Sequence, residues 1–444
     1  MDFASIFSSL GGTAFTVVFF VLALSIIVAV HEYGHYIVGR WSGIHADVFS
    51  LGFGKPLVQR TDKRGTVWQI AAIPLGGYVK FAGDANAASA PNAHAVDALP
   101  EEQRRHTMPG APLWARTVTV AAGPMFNFIF SALVFAGFVL LNGQMGDRLI
   151  VDEVHAMPTE VALQTGDVIL AIDGTPVPDL DEFGPFLQDL PPVASMTYSV
   201  LREGAEIEVE APHPLPVIVG GISPKSAAGD AGLKVGDVVT HADTLKLNSF
   251  YQLQDIVAAA AGQPVTLTIW RDGESFDTTL KARSRDLPVA DGGFETRWLI
   301  GITGSNLFTV GTEPVGVFEA LKIGTTNVWE LIKLNLSGLY HMITGSISTC
   351  NLTGPVGIAN TVSTMASQGT ASFISTVALI STAIGLINLF PIPVLDGGHL
   401  VFYAYEAVRG KPLPERAVGI MMTIGLVVIV TLMFLGLGAD FFCI

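Results

Sequence analysis

Residues 14 to 38 read AFTVVFFVLALSIIVAVHEYGHYIV, an uncharged apolar run that ends directly in His31, Glu32 and His35. A helix needs about 20 such residues to cross a bilayer core, so this run has the length of a membrane span. Residues four apart on a helix are separated by about 6 Å along the axis and roughly 40° around it. Both imidazoles therefore reach one ion, while Glu32 points to the side where a water held by that ion sits. Leaving two histidines and a glutamate unpaired at the end of an apolar helix costs on the order of several kcal/mol, and a zinc ion satisfies all three at once. Two other readings compete. The residues merely cap a span at the water interface, where Trp, Tyr, Lys and Arg are the usual anchors. Alternatively they form a proton or cation relay.

Further stretches at 115 to 141, 374 to 394 and 417 to 438 are also long and apolar enough to span, which makes four. A signal peptide is the alternative for the first, but nothing before it is basic and His31 stands where small residues for a cleavage site belong. Arg40, Lys55, Arg60, Lys63, Arg64, Lys80, Arg104, Arg105 and Arg116 lie between the first two spans, whereas residues 1 to 13 have no Lys or Arg. By the positive-inside rule this loop faces the cytoplasm, and the loop with Arg409, Lys411 and Arg416 returns there. Residues 143 to 373 are then extracytoplasmic.

That insert reads as a repeat. Gly166-Asp167-Val168-Ile169 and Gly236-Asp237-Val238-Val239 stand 70 residues apart, each followed by a strand with an Arg-x-Gly turn, at Arg202 to Gly204 and Arg271 to Gly273. Behind it, residues 314 to 348 carry Glu319, Lys322, Glu330 and Lys333 at helical spacing opposite Phe318, Leu321, Leu331 and Ile332, which predicts an amphipathic helix.

Catalytic zinc takes three protein ligands and leaves one position open. The third span ends in Asn388-Leu389-Phe390-Pro391-Ile392-Pro393-Val394-Leu395-Asp396-Gly397-Gly398-His399, where two prolines break a helix and leave an aspartate at the depth of the histidine pair. Irregular backbone at that depth is tolerated where it lines a wet cavity or is buried in protein. Asp396 is the first candidate for third ligand and His399 the second. Asn388 is of the type that caps a broken helix.

Between these, residues 46 to 81 alternate Val48, Phe49 and Leu51 with Val67, Trp68 and Ile70 around the turn Asp62-Lys63-Arg64-Gly65, a β-hairpin pattern whose exposed edge can pair with an unwound strand. Residues 82 to 112 lack periodicity and read as a linker, with His94 and His106 solvated.

Together the segments resemble the site-2 proteases, the intramembrane zinc metalloprotease family, and within it the bacterial regulator-of-sigma-E branch with tandem PDZ domains. The resemblance is carried, in order, by His31-Glu32-x-x-His35, Gly52-Phe53-Gly54-Lys55, Pro74-Leu75-Gly76-Gly77-Tyr78-Val79, Ala122-Gly123-Pro124 with Asn127, Gly354-Pro355-Val356-Gly357, and Asn388 to Gly397. It also rests on Ser223-Pro224-Lys225-Ser226-Ala227-Ala228 with Ala231-Gly232-Leu233 in the second repeat, which resemble the carboxylate-binding side of bacterial PDZ domains.

The resemblance implies a multi-span α-helical membrane protein of four transmembrane helices, with a membrane-associated β-hairpin region and two small α+β PDZ-like domains inserted between helices 2 and 3. The segments are then 1–44, the first transmembrane helix with the histidine motif; 45–81, the β-loop; 82–112, a cytoplasmic linker; and 113–143, the second helix. PDZ-like domains at 144–214 and 215–288 follow, then an extracytoplasmic connector with the amphipathic helix, 289–372. The third helix with its aspartate motif is 373–398, a cytoplasmic loop 399–416 and the fourth helix 417–444.

It further implies Zn²⁺ held by His31, His35 and Asp396, Glu32 as the acid-base residue, and substrate contacts at Asn388, Gly52 and Gly54. Val219 and Ile222 border any carboxylate pocket for peptide C-termini. The implied substrates are single-span membrane proteins, such as an anti-sigma factor already trimmed outside, and remnant signal peptides, in regulated intramembrane proteolysis serving a sigma-factor stress response. The implied location is the bacterial inner membrane, with the site toward the cytoplasm and the PDZ pair periplasmic, acting as a size filter.

Composition narrows the alternatives. Half the residues are hydrophobic, 14% are charged and the net charge is −15, which excludes a soluble fold throughout and a nucleic-acid partner. Cys350 and Cys443 are too few for a thiolate metal site or a disulfide framework. A non-catalytic, membrane-tethered PDZ receptor and an ion-coupled transporter remain as rivals to a hydrolase.

Overall fold

The long apolar runs become helices because a backbone in lipid must satisfy its own hydrogen bonds. A computed structural model of the chain describes residues 12–84, 99–146, 148–289 and 293–442. Residues 85–98 of the expected linker, His94 among them, lie outside the described residues.

Helix α1, Gly12–Trp41, carries the histidine motif. Strands β1, Ala46–Thr61, and β2, Val67–Phe81, then pair antiparallel about the anticipated turn, where the Asp62 carboxylate accepts from the backbone N–H of Arg64 (2.8 Å) and Thr66 (3.0 Å). Both strands are long and bent, and Phe49, Ser50 and Leu51 each pair twice, once near Trp68–Ile70 and once near Gly77–Val79. The pair is therefore a sheet of four segments in the order 57–61, 67–71, 46–51, 77–81. Its free edges are 57–61 and 77–81. Gly52 sits at the bend, where its φ of 90° favours glycine and a β-carbon would strike the Ile73 carbonyl at 2.8 Å. Helix α2, Leu113–Asn142, follows.

One compact unit comprises 139–316 with 341–351. The strands that define its two repeats are β3, Val151–Val154; β4, Val168–Ile172; β5, Met196–Arg202; β6, Ala205–Ala211; β7, Ile218–Ile222; β8, Val238–Ala242; β9, Pro264–Arg271; β10, Glu274–Lys281; β11, Ile302–Ser305; and β12, Phe308–Val310, with further short strands and the hairpin Arg283–Pro288/Phe294–Leu299 beside them. The first sheet runs β4-β5-β6, and the second β10-β9-β8-β7-β11. Helix α3, Leu180–Asp189, and helix α4, Phe250–Ala260, belong to the first and second repeats.

The repeat is visible in its polar bonds. Arg202 clasps Asp167 at 2.7 and 2.8 Å, and Arg271 clasps Asp237 at 2.5 and 2.7 Å. The remaining guanidinium bonds go to the carbonyls of Ala162 and Gly232, both at 3.0 Å. The expected boundary at residue 288 does not match the strand pairing. β11 joins β7 of the second repeat, whereas β12 pairs with β3 of the first, so the second repeat is threaded inside the first. Short apolar runs such as Phe308–Val310 carry no register information of their own, which is why the sequence left them in a connector.

The other unit is 1–138 with 317–340 and 352–443. Its later helices are α5, Val317–Ile343; α6, Pro355–Ser367; α7, Thr370–Asn388; α8, Asp396–Arg409; and α9, Glu415–Phe442. Four of its helices, α1, α2, α7 and α9, are long and apolar enough to span a membrane. On α5 the buried stripe is Ala320, Gly324 and Val328, not the larger apolar residues, and Phe318 is 90% exposed. Gly324 on this face permits close approach to α2, since a β-carbon there would lie 2.3 Å from the Ala132 carbonyl oxygen. α7 stops at Asn388, earlier than the expected 394, because Pro391 and Pro393 cannot continue it. Residues 396–409, expected as part of a span and a loop, form α8.

Candidate metal centre

Three side chains from two distant stretches converge. His31 and His35, one turn apart on α1, stand with ring planes at 84° and Nε2 atoms 3.2 Å apart. Asp396, in the first turn of α8, brings Oδ2 to 3.1 Å from His31 Nε2 and 3.5 Å from His35 Nε2. One ligand atom from each lies within 4.8 Å of the others. Among the described residues, this is the group of His, Cys, Asp or Glu side chains arranged to hold a metal ion, and His399 is outside it.

The donors fit zinc. Two imidazole nitrogens and a carboxylate oxygen are a preferred zinc set, and three ligands leave a fourth position open. Asp396 Oδ2 is buried without a directed hydrogen bond although two ring nitrogens face it. Acceptors crowded on one point need a cation between them.

Helix α2 makes room for this cluster. A β-carbon at Gly123 would lie 2.3 Å from His35 Nε2 and 2.9 Å from His31 Cε1. Thr119 O, one turn earlier, accepts from His35 Nδ1 at 2.9 Å, which leaves Nε2 free to ligate. Asn127, one turn later, sets its amide 3.3 Å from His31 Nδ1. Metal-bound histidines characteristically engage their second nitrogen in this way.

A cavity of about 250 Å³ opens on the cluster, with Glu32, Asn388, His399 and the Gly77–Val79 segment among its walls. Val79 offers its backbone to Glu32. α8 is fixed further along by Arg116 of α2, whose guanidinium meets both oxygens of Glu406 at 2.6 and 3.0 Å and lies 5.1 Å from the Tyr403 ring centre. Nearby, burial pushes the Asp84 carboxyl up to about 7.

The other candidates fall elsewhere. Gly52 and Gly54 are not on the cavity wall, which is contributed by the edge segment 77–81. Val219 is fully buried in the core of the second repeat, and its strand β7 pairs on both sides, with β8 and β11. Ile222 packs against the same core. His106 bonds the Gly43 carbonyl at 2.7 Å and is outside the group of His31, His35 and Asp396.

Comparison with known proteins then fixes the family: the sequence model described as Peptidase family M50 matches residues 19–432. The chain belongs to peptidase family M50. It is 33% identical over 464 residues to the regulator of sigma-E protease RseP of Escherichia coli K12, covering 95% of this chain and 97% of that protein. A protein of Agrobacterium fabrum, provisionally titled a zinc metalloprotease, is 35% identical over 422 residues, covering 93% of each chain. One of Brucella suis with the same provisional title is 32% identical over 437 residues, covering 96% and 95%.

Within this M50 chain, sequence reasoning found the converging triad but missed the parts played by Thr119 and Gly123. A backbone carbonyl has no sequence signature. Gly123, however, sits beside Pro124 within an apolar span, and a glycine there is itself a signal of close approach.

Proposed function

We propose that the chain is an intramembrane zinc endopeptidase. The observation that carries this reading is the convergence of His31, His35 and Asp396 on one cavity that Glu32 also faces. Zinc held there supplies Lewis acidity for a scissile carbonyl and for water. Glu32 accepts the proton of the attacking water and returns it to the leaving amide nitrogen. Asn388, on the cavity wall where α7 ends, orients the peptide by hydrogen bonding.

A substrate helix hides its peptide bonds in its own hydrogen bonds and must unwind first. The segment 77–81 pairs on one side only and lines the cavity, so an unwound substrate strand adds there rather than at Gly52 or Gly54.

The setting is a bacterial inner membrane. The basic residues between the first two spans orient the site to the cytoplasm, and exposed Trp41 and Trp114 at the same ends of α1 and α2 suit an interface there. The two repeats are PDZ-like modules on the far side that exclude untrimmed ectodomains. A peptide C-terminus, where one is bound, pairs with β11, which has a free edge. The substrates are single-span proteins of anti-sigma-factor type and remnant signal peptides.

The test is cleavage of two single-span substrates, one with and one without its ectodomain, by purified protein before and after zinc chelation. The expected result is cleavage of the trimmed substrate, lost on chelation and restored by zinc. Cleavage that survives zinc removal contradicts the reading.

A further inference from the structure

Asn127 is fully buried on α2, and its Oδ1 has no hydrogen-bond partner. Its Nδ2 faces His31 Nδ1 at 3.3 Å. Both histidines thus turn Nδ1 toward α2 and Nε2 toward Asp396, at 3.1 Å for His31 and 3.5 Å for His35. For His35 the partner is a carbonyl, which only accepts, so Nδ1 carries the proton. Ligation of His31 through Nε2 likewise requires its proton on Nδ1, and an N–H aimed at an NH₂ group has no acceptor. The two ends of an asparagine amide are nearly the same size, so a half-turn about Cβ–Cγ exchanges Oδ1 and Nδ2 within the same volume. That one rotation gives the orphaned oxygen a donor and removes the facing donors.

The backbone holds the amide at this spot. Ser381 of α7 donates to the Asn127 carbonyl at 3.3 Å and Ser131 of α2 to the Ala378 carbonyl at 2.8 Å, tying α2 to α7. An uncharged acceptor also suits the place. Glu32 and Asp396 already put two carboxylates on the cavity, and a third buried acid adds like charge in a low dielectric.

We propose that Asn127 is a positioning residue for the metal centre: its Oδ1 accepts from His31 Nδ1–H and fixes the tautomer that offers Nε2. The Thr119 carbonyl does the same for His35. Partners of this kind are typically worth about 10–100-fold in metal affinity.

The experiment is zinc titration of the full-length chain in detergent against a competing chelator, comparing wild type, Asn127→Leu and Asn127→Asp, with thermal unfolding of each zinc-free protein as a control. Leucine removes the acceptor at similar volume and is expected to raise the zinc Kd by about 10–100-fold. Aspartate keeps an acceptor but adds a buried like charge, so it is expected to bind zinc more tightly than Asn127→Leu and no more tightly than wild type. Equal affinity for wild type and Asn127→Leu, or equal loss in both variants, overturns the proposal. If Asn127→Leu does not fold, Asn127→Ala, which also removes the acceptor, takes its place in the titration. A raised zinc Kd is expected, and affinity equal to wild type overturns the proposal. The inference rests on the zinc reading, and the two fail differently: absence of zinc binding by wild type sinks that reading, while zinc held equally by both proteins sinks only this one.

Discussion

Gly123 of α2 and His35 of α1 approach so closely that a single added carbon at Gly123 would lie 2.3 Å from His35 Nε2. His35 cannot simply turn away, because its other nitrogen is held by the Thr119 carbonyl of the same helix. Gly123→Ala is therefore expected to displace an imidazole and weaken zinc binding and cleavage by about 10–100-fold. Chelator competition and turnover on one preparation check this, and unchanged zinc affinity contradicts it.

The third ligand is separable from its neighbour. Asp396→Asn replaces an anionic donor with a neutral one and is expected to cost zinc occupancy. His399→Ala keeps all three donors and is expected to retain stoichiometric zinc, since His399 lies on the cavity wall outside the triad. Metal analysis after gel filtration checks both. Loss of zinc in His399→Ala with retention in Asp396→Asn reverses the assignment.

Asp84 predicts a pH dependence of stability. The unfolded carboxyl titrates near the ordinary 3.8, and burial raises the folded one to about 7, with the Phe81 N–H bond at 3.1 Å working against the rise. The folded state thus holds a proton that the unfolded state releases, so stability falls as pH rises from about 4 to about 7 and is flat above. Three pKa units correspond to an upper limit of about 4 kcal/mol. Asp84→Asn is expected to remove most of this slope, as measured by melting at about pH 5 and pH 8. A slope equal to wild type contradicts the assignment.

Arg116 and Glu406 pin α8, whose first turn carries Asp396, to α2. Their side chains are 13% and 18% exposed, so removing one strands a largely buried charge at a cost of about 3 kcal/mol. Arg116→Ala is expected to lower the melting temperature and zinc occupancy together. The double reversal, Arg116→Glu with Glu406→Arg, is expected to recover part of both. No recovery contradicts a pairwise role.

What the sequence disclosed follows from which features are periodic or chemically distinctive. The four spans, the turn at Asp62 and the triad of His31, His35 and Asp396 were legible because apolar length, turn chemistry and ligand spacing act locally. The doubly paired segment 46–51 was not, because strand bending depends on which residues meet across the sheet, and so the sequence did not show which part of 46–81 is the free edge beside the cavity. The same limit hid the surroundings of Val219: the apolar run Val217 to Val219 does not reveal that β7 lies between β8 and β11. Nor do residue types show that β11 and β12, three residues apart in the chain, return to different repeats.

The central claim is that this cavity holds zinc and that Glu32 moves the proton. The measurement that tests it most directly is zinc stoichiometry and cleavage of a trimmed single-span substrate, on the same preparations of wild type and Glu32→Gln. The account predicts one zinc per chain in both, with cleavage by wild type alone. Cleavage by Glu32→Gln at the wild-type rate, or cleavage by a wild-type protein without zinc, would contradict it.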